Sequence, residues 1–230
     1  MRFSPRTVLT ALTAILALSA VAVSSASAAP EWYVKKGGTY SKATTAVGVN
    51  VEAVKAGLVL GSQKEGYRCT TSNWGEGKVE SAGAGKFSRF GEFPEPSGHC
   101  EAVKGGSGVF QCTRVEKTQG VNLPWKTELY TEGSEIRDKI ISGGAGTPGI
   151  EVECWNAVFG KFTFACEGAT SLHLRNNSLP TPLVEGEFDS KSAKLKCKGG
   201  GGEPGEWIGV VKIKPTAEEK TKGIEGIKVE

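Results

Sequence analysis

The chain has 230 residues, 38% hydrophobic and 23% charged, which is typical of a globular protein rather than a disordered or fibrous one. Its 28 basic and 25 acidic residues nearly cancel and are interspersed, so the electrostatic footprint of a nucleic-acid-binding protein is absent. The 32 glycines and 10 prolines exclude an all-helical bundle and favour short strands joined by tight turns.

The first 28 residues have the pattern of a secretory signal peptide. Arg2 and Arg6 give a positive start, Val8–Val23 is a mostly apolar run, and Ala28 ends a stretch of small residues that suits cleavage. The apolar run is shorter than the roughly 20 residues of a membrane span. We therefore predict a Sec-type signal peptide over residues 1–28, a secreted mature protein, and no membrane span.

Alternation of apolar and polar residues, as in 47–51 and 162–166, predicts strands along most of the remaining chain. The glycine-rich segment 75–85 predicts a loop. No stretch has the composition of a long interdomain linker. We predict a single all-β domain over 29–230, an antiparallel β-sandwich or flattened barrel, in which 215–230 is a partly frayed tail.

Two hairpins can be assigned a register from the sequence alone. A turn at residues 132–133 places Leu129 opposite Ile136 on one apolar face. A loop around residues 190–193 places Glu187 opposite Lys196, one of three opposite-charge pairs. We expect the second hairpin to form a solvated edge of the sheet.

The six cysteines, an even number, all follow the predicted signal peptide: Cys69, Cys100, Cys112, Cys154, Cys166 and Cys197. In an exported chain without a C-x-x-C pair, they predict three disulfides rather than a zinc site. Equal spacing favours the bridge Cys100–Cys112 within a hairpin and leaves the other two open between two schemes. The first adds Cys154–Cys166 within a second hairpin and pairs Cys69 with Cys197. A second scheme keeps Cys100–Cys112 but pairs Cys69 with Cys154 and Cys166 with Cys197.

Candidate catalytic residues are few. Glu151 and Glu153 share one strand face without an evident basic partner, which makes them the candidate carboxylates of a glycan hydrolase. His99 and His173 are the only imidazoles, and no G-x-S-x-G nucleophile elbow accompanies them. We predict no catalytic residue, no cofactor and no metal site.

The five tryptophans are the best lead to a binding surface. Trp74 lies in a loop-like setting, Ser72–Gly75, and Trp155 lies on the strand face opposite to that of Cys154. An exposed indole on a β-scaffold can stack on a sugar ring or on the surface of a partner. We predict Trp74 and Trp155 as ligand contacts, with burial under loops as the alternative.

Several segments resemble exported, cysteine-containing proteins of high-GC Gram-positive bacteria that have no assigned activity. The resemblance spans roughly residues 66–213 and is carried by Leu123–Leu129, Arg137–Ile140, Gly146–Gly149, Val152–Cys154, Cys166–Gly168 and Glu187–Lys191. These segments have the character of turns, core positions and disulfides. The resemblance implies a bacterial source, export and a β fold, and it implies no mechanism.

The sequence therefore predicts a non-catalytic extracellular binding or surface-associated module. Its partner would be a cell-wall or extracellular glycan or another surface protein, and not a nucleic acid. One alternative is a structural envelope protein without a ligand. The other is a secreted glycan hydrolase that uses Glu151 or Glu153.

Overall fold

The computed structural model describes residues 28–61, 65–91, 100–103, 112–158, 160–178, 181–188, 195–199 and 204–230. Most of the predicted signal peptide, residues 1–27, lies outside the described residues. The described chain is almost entirely antiparallel strand, so the predicted all-β class is confirmed. No helix in these ranges is long and apolar enough to cross a membrane.

The described residues form sixteen strands and one short α-helix. The strands are β1 (Trp32–Lys36), β2 (Thr39–Lys42), β3 (Val47–Leu60), β4 (Glu65–Val79), β5 (Ala84–Phe90), β6 (Cys100–Val103), β7 (Arg114–Val121), β8 (Trp125–Glu132), β9 (Glu135–Ser142), β10 (Gly149–Asn156), β11 (Gly160–Glu167), β12 (Thr170–Asn177), β13 (Leu183–Phe188), β14 (Lys196–Lys198), β15 (Gly205–Pro215) and β16 (Ile224–Val229), and the helix is α1 (Ala217–Thr221).

Eight strands close into an antiparallel barrel in the order β3-β15-β13-β12-β9-β8-β5-β4, and pairing of β3 with β4 completes the ring. Of the two architectures predicted, the barrel is the one formed. Closure is possible because β3 and β4 are long, with 14 and 15 residues, and each pairs along its length with strands on both sides. Closing the sheet removes the unpaired edges that would invite aggregation.

Alternation along the barrel strands turns their apolar side chains into the interior. An aromatic cluster fills one part of it: Trp74 lies 4.9 Å from Phe90 between ring centres, and Phe188 stacks on Trp207 at 5.1 Å. Trp125 joins the cluster and donates its indole N–H to the Val121 carbonyl at 2.8 Å. Side chains rather than a ligand cavity therefore occupy this part of the barrel.

A three-stranded sheet, β16-β1-β2, joins the two ends of the described chain. The Asn176 side chain fastens it to the barrel, because its amide donates to the Val229 carbonyl and accepts from the Val229 N–H, both at 2.8 Å. The Glu230 N–H also donates to the Glu31 carbonyl at 3.1 Å. Within 215–230 the chain forms α1 and the strand β16.

A four-stranded sheet, β14-β11-β10-β7, packs against the aromatic part of the barrel. The Thr118 hydroxyl of β7 donates to the carbonyl of Gly91, just after β5. The Ile150 side chain of β10 packs close to Gly91, whose φ of 66° is one that glycine adopts readily. The outer face of this sheet is left to solvent.

All six cysteines are paired, but not as the sequence suggested. The bonds are Cys69–Cys100, Cys112–Cys154 and Cys166–Cys197. The favoured bond, Cys100–Cys112, is wrong, and so are the other two bonds of the first scheme. Of the bonds that the second scheme adds, Cys166–Cys197 is confirmed and Cys69–Cys154 is wrong. In the β10–β11 hairpin Asn156 pairs with Gly160, so the hairpin is not centred on Gly160, and Cys154 lies opposite Phe162 rather than opposite Cys166.

The β8–β9 hairpin forms, with a register that differs by two residues from the predicted one. Its turn is at Gly133 and the following serine, and Gly133 takes a φ of 64°, which a two-residue turn requires. Leu129 therefore faces Asp138 rather than Ile136. A shift by two preserves the face of every side chain, so the predicted inner and outer faces are kept.

Two other local predictions are wrong. Residues 75–85 form the end of β4, a 3-10 turn at Ser81–Gly83 and the start of β5, because their glycines lie against neighbouring strands rather than in a loop. The hairpin predicted around 190–193 does not pair β13 with β14. Glu187 instead faces His173 and Val210, because the bond from Cys197 to Cys166 holds β14 against β11.

Candidate functional site: an exposed tryptophan on the four-stranded sheet

Trp74 is fully buried inside the barrel. Its segment is part of β4 rather than a loop, and its side chain points inward, where it packs on Phe90 and meets Phe188 edge-on. An indole in this position presents no surface to a ligand. The prediction that Trp74 is an exposed contact is therefore wrong, because a strand was taken for a loop.

Trp155 has the opposite environment. It is 37% exposed, and Val158, three residues later, is 81% exposed. Within the described ranges these two are the large hydrophobic side chains that lie exposed, and both belong to the β10–β11 hairpin. An apolar patch concentrated at one hairpin end is the kind of feature that marks a contact surface.

The backbone around Trp155 is fixed from several directions. The preceding residue, Cys154, is fully buried and bonded to Cys112. The Trp155 carbonyl accepts from the Thr113 N–H at 2.9 Å. At the hairpin end, the Asn156 side chain accepts from the Val158 N–H at 2.7 Å. The indole thus sits on a pre-organised support, which lowers the entropic cost of binding.

Trp155 stands between two cations. Arg114 is its register partner on β7, and Lys161 is its partner on β11. The Arg114 guanidinium lies over the indole, 5.7 Å from the ring centre, in a cation–π arrangement. We call the surface formed by Arg114, Glu153, Trp155, Val158 and Lys161 the Trp155 face.

A β-bulge in β7 places Arg114 on this face. Lys117 faces Glu153 and Val115 faces Cys154, so Glu116 is an extra residue between them. In a regular ladder Glu116 would face Cys154, so alternation would place Val115 beside Trp155 and turn Arg114 inward. The bulge reverses this order, burying Val115 and directing Arg114 to the outer surface.

The cations and the carboxylates of the Trp155 face differ in how far they are exposed. Arg114 is 68% exposed while the side chain of its partner Glu116 is only 17% exposed. Lys161 is 59% exposed and its partner Glu153 is 26% exposed, with 2.5 Å between ammonium and carboxylate. Each cation is therefore much more exposed than the carboxylate it pairs with.

The two carboxylates proposed for hydrolysis are both engaged. Glu151 accepts from the Gln119 side-chain amide at 2.7 Å. Glu153 accepts from Lys161, and this hydrogen bond holds the pKa of the Glu153 carboxyl below its usual range. A glycosidase acid needs the opposite shift, because it must carry a proton at working pH. Glu153 is thus the ion-pair partner of Lys161 on this face.

His173 lies on the outer wall of the barrel, with its Nε2 atom 3.7 Å from Glu135 Oε1. Arg137, its register partner on β9, lies 2.7 Å from Glu132 and 2.8 Å from Glu135. This is an ion-pair network rather than a nucleophile and base. His99 lies outside the described residues.

A groove of about 670 Å³ lies between α1 and the strands β4 and β5. Its lining is mostly charged, and several of these charges neutralise one another, as where Lys222 meets Glu218 at 2.7 Å. This groove could not be predicted from the sequence, because α1 is distant in the chain from β4 and β5. In the part of the chain that the structure describes, no cluster of three or more His, Cys, Asp or Glu side chains could hold a metal ion.

Comparisons with protein-family models, with curated proteins and with solved structures found no match to this chain. The chemistry of the Trp155 face therefore carries the functional conclusion.

Proposed function

We propose that this protein is an exported, non-catalytic binding module that holds an extracellular or cell-wall glycan on the Trp155 face. The observation that carries the proposal is the exposed indole, which is held by a disulfide at the preceding residue and flanked by cations on both sides. Aromatic faces suit sugar rings because they offer a flat apolar area at low entropic cost.

Export is supported by the signal-like pattern of the first 28 residues and by the pairing of all six cysteines. Disulfides persist in oxidising compartments and are rare in the cytosol. Together these features favour function outside the cell, where glycans are abundant ligands.

A structural envelope protein without a ligand is the second candidate. It is favoured by the burial of four of the five tryptophans: Trp32, Trp74, Trp125 and Trp207. The two candidates differ at Trp155, because a purely structural protein needs no exposed indole on a rigid support.

The test is retention of the mature, disulfide-bonded protein, starting at Ala29, on insoluble polysaccharides and cell-wall material with and without soluble competitor. We expect competable retention that Trp155→Ala abolishes. Tyr40→Ala is the matched control, because the half-buried Tyr40 ring has Lys228 Nζ 4.4 Å from its centre on the distant three-stranded sheet. Retention that survives Trp155→Ala, or no retention on any glycan, contradicts the proposal.

A further inference from the structure

We propose that the ligand of the Trp155 face is an acidic glycan, in which a sugar ring lies against the indole and a carboxylate, phosphate or sulfate group contacts Arg114 and Lys161. This inference rests on the proposed function and specifies its ligand class. It follows from the distribution of charge around the indole, where the cations are more exposed than the carboxylates. An aromatic side chain alone would not favour an acidic ligand.

The first step concerns which charges a ligand meets. The Arg114 and Lys161 side chains are far more exposed than their partners Glu116 and Glu153, at 68% and 59% against 17% and 26%. Lys117 adds a third cation opposite Glu153 on the same face. An approaching ligand therefore meets positive groups first, and a negatively charged ligand is favoured over a neutral one.

The second step concerns free donors on Arg114. Its Nε atom donates to Glu116, and its two terminal nitrogens have no acceptor among the described residues. A guanidinium can stack on an indole and offer its outer N–H groups to an oxyanion at the same time. Arg114 is therefore suited to hold an acidic group beside a ring that contacts Trp155.

The third step concerns distance. Arg114 and Lys161 occupy the strands on either side of β10, each one strand spacing, about 5 Å, from Trp155. An anionic substituent on a sugar that covers the indole therefore lies within reach of either cation. The disulfide and the bulge that fix this arrangement keep all three groups on one face.

The test compares one polymer with its charge present and removed: polygalacturonate and its fully methyl-esterified form, titrated into the full mature protein by calorimetry. We expect the acid form to bind about tenfold more tightly at low salt, as one charge-assisted contact would give. We also expect the difference to shrink as salt is added.

Variants assign the effect to particular groups. Arg114→Gln and Lys161→Gln should each weaken binding of the acid form by about fivefold or more and leave the ester unchanged. Lys42→Gln is the matched control, because Lys42 is 56% exposed and pairs with Glu31 at 2.7 Å on the distant sheet. Melting temperatures verify that every variant is folded.

The outcomes separate the two proposals. Equal binding of both polymers, lost in Trp155→Ala, leaves the glycan function standing and overturns the acidic ligand. If Trp155→Ala leaves binding of the acid form unchanged, the protein merely attracts a polyanion, and this result also overturns the acidic ligand. Absence of binding to either polymer, with retention on vesicles of phosphatidylglycerol and phosphatidylcholine, replaces the glycan with an anionic membrane and overturns both proposals.

Discussion

Trp74 and Trp155 show how differently one residue type is used in two regions of this molecule. In the barrel interior, Trp74 is surrounded by other aromatic rings and is fully buried. On the outer face of the four-stranded sheet, Trp155 is surrounded by Arg114 and Lys161 and remains exposed. The interior indole is packed among other rings, whereas the indole on the outer face is open to solvent and flanked by cations.

The largest expected effect separates these two roles directly. Trp74→Ala removes a side chain from a packed aromatic cluster, and we expect a loss of about 3–5 kcal/mol in the free energy of unfolding. Trp155→Ala should change it by less than about 1 kcal/mol. Urea denaturation of both variants measures the difference, and similar losses would show that the Trp155 side chain is structural.

The second effect concerns a polar group within the barrel. Asp138 is fully buried, with Leu129 and Leu172 as its register partners. Burial raises the pKa of Asp138 to about 7, and the nearby Thr127 hydroxyl and Glu128 amide offset this only in part. Neither makes a well-formed hydrogen bond to the carboxyl.

Because the folded pKa of about 7 exceeds the ordinary 3.8, the folded protein binds the proton more tightly than the unfolded chain. The stability that this proton contributes is fully present below about pH 4 and is lost as the pH rises through about 7, by about 4 kcal/mol at most. Asp138→Asn should remove this dependence and stabilise the protein at pH 8. Denaturation at pH 5 and pH 8 tests this; parallel changes in both proteins would contradict the account.

A third effect concerns the attachment of the three-stranded sheet to the barrel. Asn176→Ala would leave the N–H and the carbonyl of Val229 without their partners, and we expect a loss of about 1–3 kcal/mol. Amide exchange at Val229 should also accelerate. Unchanged exchange at this amide would show that β1 alone holds β16 in place.

The smallest effect lies on the outer barrel wall. Lys78, Lys86 and Lys126 stand directly opposite one another on β4, β5 and β8, and like charges so placed repel. Lys86→Glu puts an anion between two cations and should raise the melting temperature by about 1–3 °C in low salt. The gain should vanish in 1 M salt. A lower melting temperature would mean that the row is already compensated.

The fold class was predictable because alternation and glycine content are local signals. Which strands pair across the chain could not be predicted from such local signals. The Glu187–Lys196 register agreed with every local charge, yet the Cys166–Cys197 bond places Lys196 in another sheet. One overlooked signal was present: Cys69–Cys100 and Cys166–Cys197 both span 31 residues.

Local alternation made part of the candidate site predictable as well. The outward direction of Trp155 follows from alternation with Cys154, which is buried. Its neighbour Arg114 could not be assigned, because the bulge at Glu116 changes which side chains face outward. Burial of Trp74 depends on barrel closure, which involves strands distant in the sequence.

The most direct test of the central claim is to follow the indole N–H signals of the five tryptophans by NMR while polygalacturonate is added to the mature protein. The account predicts that the Trp155 signal shifts with saturation, and that the Trp74 signal, inside the barrel, stays in place. An unmoved Trp155 signal, with or without changes elsewhere, would contradict the assignment of the Trp155 face as the binding surface.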